Sequence, residues 1–362
     1  MLTREKLVEL YREFRDVGVL SVYVDGGQTD PAERRVWTKE LELGLDAQRR
    51  RLETESPDDL EAFDAARKRV VAVLDQYKAF LPERGWIAFA TGDGLPYAEG
   101  VPVPMPNLVR WERGLRVAPY VRALKQQRVV VAVVADRRKA RIFTYRDGEA
   151  TEHEEVTADL DFGDLSESGS SRRAGGHTGS RGETGTDAGQ RSLDGSAAQL
   201  QARVLDVARG LAGSDGFLIL GGTPEVVAAL ARHTESLDGR TLERPSMHLG
   251  MTVAEVKAAI EESASELSRR MQDTLLDTVI DSGASGGRGC LGIEATTQAL
   301  RDARVDSLLI TRSLREKDPD LADHLVGTAF EQNAAVEELS AVGADRLDSV
   351  GEGVGARLRY TV

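Results

Sequence analysis

The stretch RVVVAVVADRRKARIFTYRDGEATEHEEV, residues 128–156, constrains the fold more than any other part of the chain. It opens on an apolar run too continuous for a strand with one wet face. It then alternates between apolar and charged residues, interrupted by the polar turns DRRK and RDGE. That pattern predicts three successive antiparallel strands at 129–135, 140–146 and about 149–156. Composition then changes abruptly. Residues 163–196 hold nine glycines among many Ser and Thr, and almost nothing apolar. Such a segment cannot bury enough surface to offset its ordering entropy, so a long mobile loop is expected over 163–196.

After the loop the sequence predicts a helix at about 196–212, a buried strand GFLILGG, and a helix opening on Thr223 and Pro224. A long helical stretch at about 252–281 follows. Before the meander, an amphipathic helix leads into the β-rich VLSVYVD (19–25) and then a helical pattern from 32 to 77. GWIAFAT (85–91) reads as a strand, residues 95–109 as a proline-rich connection, and APYVRALKQQ as a short helix. After the long helix come a glycine-rich turn, a helix and the strand SLLIT. DPDLADHLVGTAFEQNAAVEELS reads as a helical region, and GARLRYTV as a closing strand. The expectation is an α/β (α+β) protein of three domains, 1–126, 127–268 and 269–362.

At 362 residues, with 41% hydrophobic and 30% charged residues, the chain is long for one core and ordinary for a soluble protein. No apolar run reaches the roughly 18–20 residues that span a bilayer. One cysteine, Cys290, excludes an intrachain disulfide, and a cytoplasmic location is expected. The net charge of −13 argues against nonspecific coating of nucleic acid. It divides as −1, −7 and −5 over the three expected domains, so any RNA contact must come from local basic clusters. The five histidines show no metal-ligand spacing, and no metal or other cofactor is expected. GGTPEVV follows a strand but lacks both glycine-rich nucleotide fingerprints, so it reads as a helix cap. Cys290 has no His or Asp at catalytic spacing and reads as buried.

The order of elements resembles the bacterial relatives of the archaeo-eukaryotic class 1 release factors, a group that includes Pelota-type rescue factors and hibernation factors of the Balon type. VVVAVVADRRKARIFTY resembles the opening strands of that family's ribonuclease H-like middle domain, and the loop, helix and GFLILGGTPE continue it in order. GRGCLGIEATTQALRDARVDSLLI and GVGARLRY resemble its small C-terminal α/β domain, shared with RNA-binding ribosomal proteins.

The resemblance makes one tripeptide conspicuous. Gly26-Gly27-Gln28 is the sequence with which class 1 release factors hydrolyse peptidyl-tRNA. Those factors carry it on the middle-domain loop, which here is 163–196. Gly26-Gly27-Gln28 instead follows the first strand, where two glycines ahead of Asp30-Pro31 suit a tight loop. The loop itself offers only Gly175-Gly176-His177 and Ala188-Gly189-Gln190. The family's codon-reading Asn-Ile-Lys-Ser motif is absent from the chain.

No catalytic residue is therefore assigned. Candidate contacts to ribosomal RNA or tRNA are Arg137, Arg138, Lys139 and Arg141 on the hairpin. Arg172, Arg173, Gly175, Gly176, His177, Arg181, Gln190 and Arg191 are the candidates on the loop. The resemblance implies a ribosome-binding factor that occupies the A site in hibernation or protection, without codon reading or peptide release. An elongation factor Tu-type GTPase is an implied partner; no membrane or DNA is. A codon-independent peptidyl-tRNA hydrolase for stalled ribosomes and a stress-related RNA-binding adaptor off the ribosome are the alternative readings.

Overall fold

The computed structural model describes every residue except Met1, Thr29, 31–34, Lys78, 158–184, Ser214, Glu235, Ser236, Asp238 and Val362. Among the described residues the chain is mixed α/β, with three sheets. It divides into two compact units, one of residues 1–127 with 272–362, the other of residues 128–271.

In the first unit, α1 (Arg4–Glu13) starts on Thr3, whose side chain accepts from the Lys6 amide. Next comes β1 (Gly18–Asp25), which pairs antiparallel with both β2 (Gly85–Ala90) and β4 (Leu108–Arg113); β3 (Tyr97–Val101) completes the order β3-β2-β1-β4. Both faces of this sheet are covered. Leu20, Val22 and Val24 meet α2 (Val36–Glu55) and α3 (Leu60–Leu74), whose Trp37, Leu41, Leu45, Phe63 and Val70 recur at helical spacing. Val19 and Tyr23, on the other face, join a cluster with α1, α4 (Ala118–Gln126) and the C-terminal segment. Burial on both sides explains why β1 reads as a nearly unbroken apolar run.

β3 and the first two residues of β4 lie within the stretch read from sequence as a proline-rich connection. Pro102, Pro104 and Pro106 sit between the two strands, and both strands are edges, so no central ladder loses a donor to proline.

The remaining sheet of this unit has the order β10-β13-β11-β12, from β10 (Gly289–Leu291), β11 (Val305–Thr311), β12 (Ala335–Leu339) and β13 (Val354–Leu358). β11 and β12 are parallel, and the other pairs antiparallel. Helix α8 (Ile293–Arg301) leads to β11, α9 (Arg312–Lys317) and α10 (Pro319–Glu331) lead from it to β12, and α11 (Ala341–Gly351) leads to β13. β12 falls within a stretch expected to be helical. Asn333 takes a left-handed φ of 61°, and the Ala334 amide donates back to the Ala329 carbonyl at 2.9 Å. That closure ends the helix and releases AVEEL into the sheet.

In the second unit a five-stranded sheet has the order β7-β6-β5-β8-β9. β5 (Val130–Ala135), β6 (Lys139–Arg146) and β7 (Glu149–Thr157) form the expected antiparallel meander. β8 (Phe217–Gly222) and β9 (Thr241–Arg244) run parallel to β5. Helices α5 (Gly185–Ala212) and α6 (Pro224–Ala231) cover one face through Leu200, Val204, Leu205 and Val227. On the other face, Val256, Ile260 and Leu267 of α7 (Val253–Ala284) pack on Val130, Ala132 and Phe143. The edge strand β7 bears Glu149, Glu152 and Glu155, whereas the opposite edge, β9, is only four residues long. Helix α5 begins eleven residues before the expected start at 196. Gly189 and Gly195 lie within it, since propagating a helix past a glycine costs only about 1 kcal/mol.

Arg116, 5% exposed, ties the first unit together. Its Nε donates to Asp323 Oδ2 at 2.7 Å and its Nη2 to Asp320 Oδ1 at 2.7 Å, while Nη1 lies 3.4 Å from Glu112 Oε2. Its amide donates to Ser21 Oγ at 3.0 Å, and its carbonyl accepts from the Tyr23 hydroxyl. Arg116→Ala strands Asp323, which is 11% exposed, without its closest cation. Urea unfolding should show a loss of about 3 kcal/mol or more, part of it recovered in Arg116→Met combined with Asp323→Leu.

Candidate functional site

The candidate surface is the β5–β6 hairpin and the adjoining β8–α6 turn. Asp136 builds the hairpin tip. Its Oδ1 accepts from the amides of Arg138 at 2.7 Å and Lys139 at 2.8 Å, and its own amide donates to the Lys139 carbonyl at 2.9 Å. Beside it, Gly222 takes a φ of +119°, and a Cβ there would stand 1.8 Å from the Ala135 carbonyl oxygen. Only glycine permits this approach, and it lets the Thr223 amide donate to that same oxygen at 3.1 Å. Pro224 then opens α6, so the helix start and the basic tip are held against neighbouring strand ends.

The four cations of DRRKAR are not equivalent. Arg138 is exposed and makes no side-chain ion pair with any described residue. Arg137 reaches Glu225 Oε2 at 3.1 Å, but both partners are well exposed, at 59% and 75%, so the pair yields readily to a competing anion. Lys139 pairs with Glu155 on β7 at 2.8 Å. Arg141 is committed inward. It forks onto both Glu152 oxygens at 2.8 and 2.7 Å, and donates to the carbonyls of Leu249 and Met251 at 2.8 Å each. Its guanidinium carbon also sits 4.8 Å from the centre of the Phe143 ring. A β-bulge between Ile142 and Phe143 shifts the β6–β7 register and brings Glu152 within reach. Arg141 thus anchors the hairpin, and Arg137 and Arg138 face outward.

The Arg141 hydrogen bonds hold the Glu152 carboxyl below the usual glutamate range, and Glu152 in turn raises Arg141. A carboxylate with a depressed folded pKa contributes stability above its unfolded pKa and loses it as the pH falls through the folded value. Thermal melts of the wild type and Glu152→Gln should therefore differ at neutral pH and converge as the pH drops below the carboxylate range.

Arg172, Arg173, Gly175, Gly176, His177 and Arg181 lie outside the described residues. Gln190 and Arg191, expected in the loop, belong to helix α5, about 15 Å along its axis from Leu200, which packs on the sheet. Sequence reading did not single out Gly222 or Glu225 as parts of this surface. The GGTPE motif was the available signal, but it reads as a cap until β5 and β8 are known to be neighbours.

Gly26-Gly27-Gln28 directly follows β1 and is tied to its surroundings through the main chain. The Gly26 amide donates to the Arg84 carbonyl at 2.9 Å, and the Gly27 amide to Asp25 Oδ1 at 2.9 Å. A Cβ on Gly26 would meet the Glu83 carbonyl oxygen at 2.3 Å, so the glycine is required by packing. Gly26→Ala should lower the melting temperature by several degrees, equivalent to about 1–3 kcal/mol, whereas Gln28→Ala should leave it unchanged. Cys290 is half-buried, and burial raises its thiol above the usual range, so it is a poor nucleophile. Among the described residues no cluster of His, Cys, Asp or Glu could hold a metal ion, and no helix is long and apolar enough to cross a membrane.

Residues 116–269 match the family described as bacterial archaeo-eukaryotic release factor family 10. No curated protein matches the chain. Among solved structures, Pelota of Archaeoglobus fulgidus is 14% identical, with 77% of this chain and 80% of that one covered and a TM-score of 0.35. Dom34 of S. cerevisiae, described as a translation termination-like factor, is 11% identical over 66% and 65% of the two chains, with a TM-score of 0.44. An archaeal Pelota from a ribosome-bound assembly is 13% identical over 99% and 95%, with a TM-score of 0.40. The family resemblance is therefore carried by residues 116–269, which are similar to bacterial archaeo-eukaryotic release factor family 10 and include nearly all of the second unit.

Proposed function

We propose that the protein binds the ribosome as an A-site factor and holds it in an idle or protected state, without reading a codon or releasing peptide. The family match over the middle unit supports the ribosomal part of this reading. The outward-facing Arg137 and Arg138, set in a chain of net charge −13, give that unit a local phosphate-contacting surface. The observation that carries the non-catalytic part is Gly26. Its amide is bonded to Arg84 and its α-carbon packed against Glu83, so the chain's one Gly-Gly-Gln is tied to its surroundings through the main chain. A catalytic tripeptide has to bring its backbone up to an ester, and this one is committed to its own fold. An elongation factor Tu-type GTPase remains the partner this reading implies.

Sedimentation of the full chain with vacant and peptidyl-tRNA-loaded bacterial ribosomes, with peptide release assayed in the same fractions, tests the reading. Co-sedimentation without release is the expected result. Arg137→Ala with Arg138→Ala should weaken binding and lower the slope of log affinity against log salt by about 2. Peptide release that is lost on mutating Gln28, His177 or Gln190 would establish the rescue hydrolase instead. Absence of any ribosome association would sink both.

A further inference from the structure

The first unit contains a second cationic site that the ribosomal reading does not use. A cleft of about 700 Å³ opens between α4, the proline-bearing β3–β4 connection and the β11–β12 edge of the C-terminal sheet. That volume is typical of small-molecule sites. Pro104, Pro106 and Pro119 give it apolar ring faces, and Arg122, Lys125 and Arg315 bring cations to it.

Two of those cations are matched within the cleft. Lys125 pairs with Glu337 at 2.5 Å and Arg315 with Glu338 at 3.0 Å. Arg122 is not matched in the same way. The nearest carboxylate, Asp323, is already held by Arg116 at 2.7 Å, and Arg122 Nη1 stands 3.7 Å from its other oxygen, beyond hydrogen-bonding distance. Arg122 is 24% exposed, and no hydrogen bond to a described residue holds its guanidinium. Burial, opposed by Asp323 and reinforced by the like charge of Arg315, pulls its pKa below the usual arginine range. A half-buried guanidinium beside a second cation is an arrangement that an anion would relieve.

Two carbonyls along the strand edge bordering the cleft are already taken by side chains. The carbonyl of Glu338 accepts from Gln272 Nε2 at 3.0 Å, and that of Ala334 from Arg4 Nη2 at 2.8 Å. Among the described residues lining the cleft, Arg122 is the cation that no carboxylate holds by a hydrogen bond, and a compact anion can reach it more readily than an extended chain.

We propose that this cleft binds a small anionic molecule with a planar apolar body, of the nucleoside diphosphate class, its phosphates on Arg122 and Arg315 and its ring against the prolines. The site lies within one unit and stands independently of the ribosomal reading.

Calorimetric titration of the full chain with ADP, GDP, adenosine and inorganic phosphate tests it. At least one nucleotide should bind, with adenosine and phosphate each weaker by at least about tenfold. Arg122→Ala should weaken nucleotide binding by about tenfold to a hundredfold, the loss expected for a charge-assisted hydrogen bond. Arg315→Gln, on a more exposed side chain, should act in the same direction and keeps the test decisive if Arg122→Ala does not fold. No heat with either nucleotide would overturn the proposal. So would phosphate binding as tightly as the nucleotides, or nucleotide binding that neither substitution alters.

Discussion

The larger unit is organised around one buried cation. Arg116 is nearly out of water, and a charge in that position must be met by carboxylates and hydrogen bonds at fixed places. Glu112, on the outgoing end of β4, and Asp320 and Asp323, on α10, meet it from two directions. Its backbone meanwhile bonds Ser21 and Tyr23 of the central strand β1. One residue thus fixes the N-terminal sheet, the start of α4 and a C-terminal helix against one another. Apolar packing around it would tolerate small slips; a forked guanidinium would not. The first and last segments of the chain, which read as separate domains, share one continuous apolar cluster around this point while each keeps its own sheet.

How legible each element was in the sequence depended on whether the deciding contact was local. The meander of 128–156 could be read because strand period and turn chemistry agreed, and the structure has β5, β6 and β7 there. The start of α5 could not, because 185–196 carries too few apolar residues to signal a helix, whereas Leu200 and Val204 further along are in the apolar core. β3 and the start of β4 were hidden by the prolines around them, Pro96 before β3 and Pro102, Pro104 and Pro106 between the two strands, which make the whole stretch read as a connection. β12 was hidden by its Glu-Glu pair and by a helix whose stop depends on Asn333 adopting a left-handed conformation.

The basic hairpin shows the same limit at the level of single side chains. DRRKAR reads as one charged patch, yet the bulge at Ile142–Phe143 and the carbonyls of Leu249 and Met251 draw Arg141 inward. Those carbonyls lie more than a hundred residues away in the chain. No local rule could separate Arg141 from Arg138, although strand alternation does put the tip residues outside. For Gly26-Gly27-Gln28 the local rule sufficed. Its position after a strand and before Asp-Pro marked a loop, and the close approach of the Glu83 carbonyl shows why a glycine stands at 26.

The edge strand β7 has a consequence for crowding. Its Glu149, Glu152 and Glu155 are paired with Lys257, Arg141 and Lys139, so charged and ion-paired side chains lie along the one long edge of the five-stranded sheet, and the opposite edge is too short to template much pairing. Two molecules meeting edge to edge would have to desolvate these charged pairs before their backbones could zip together. The sheet is thereby guarded against pairing with the sheets of other copies of the chain.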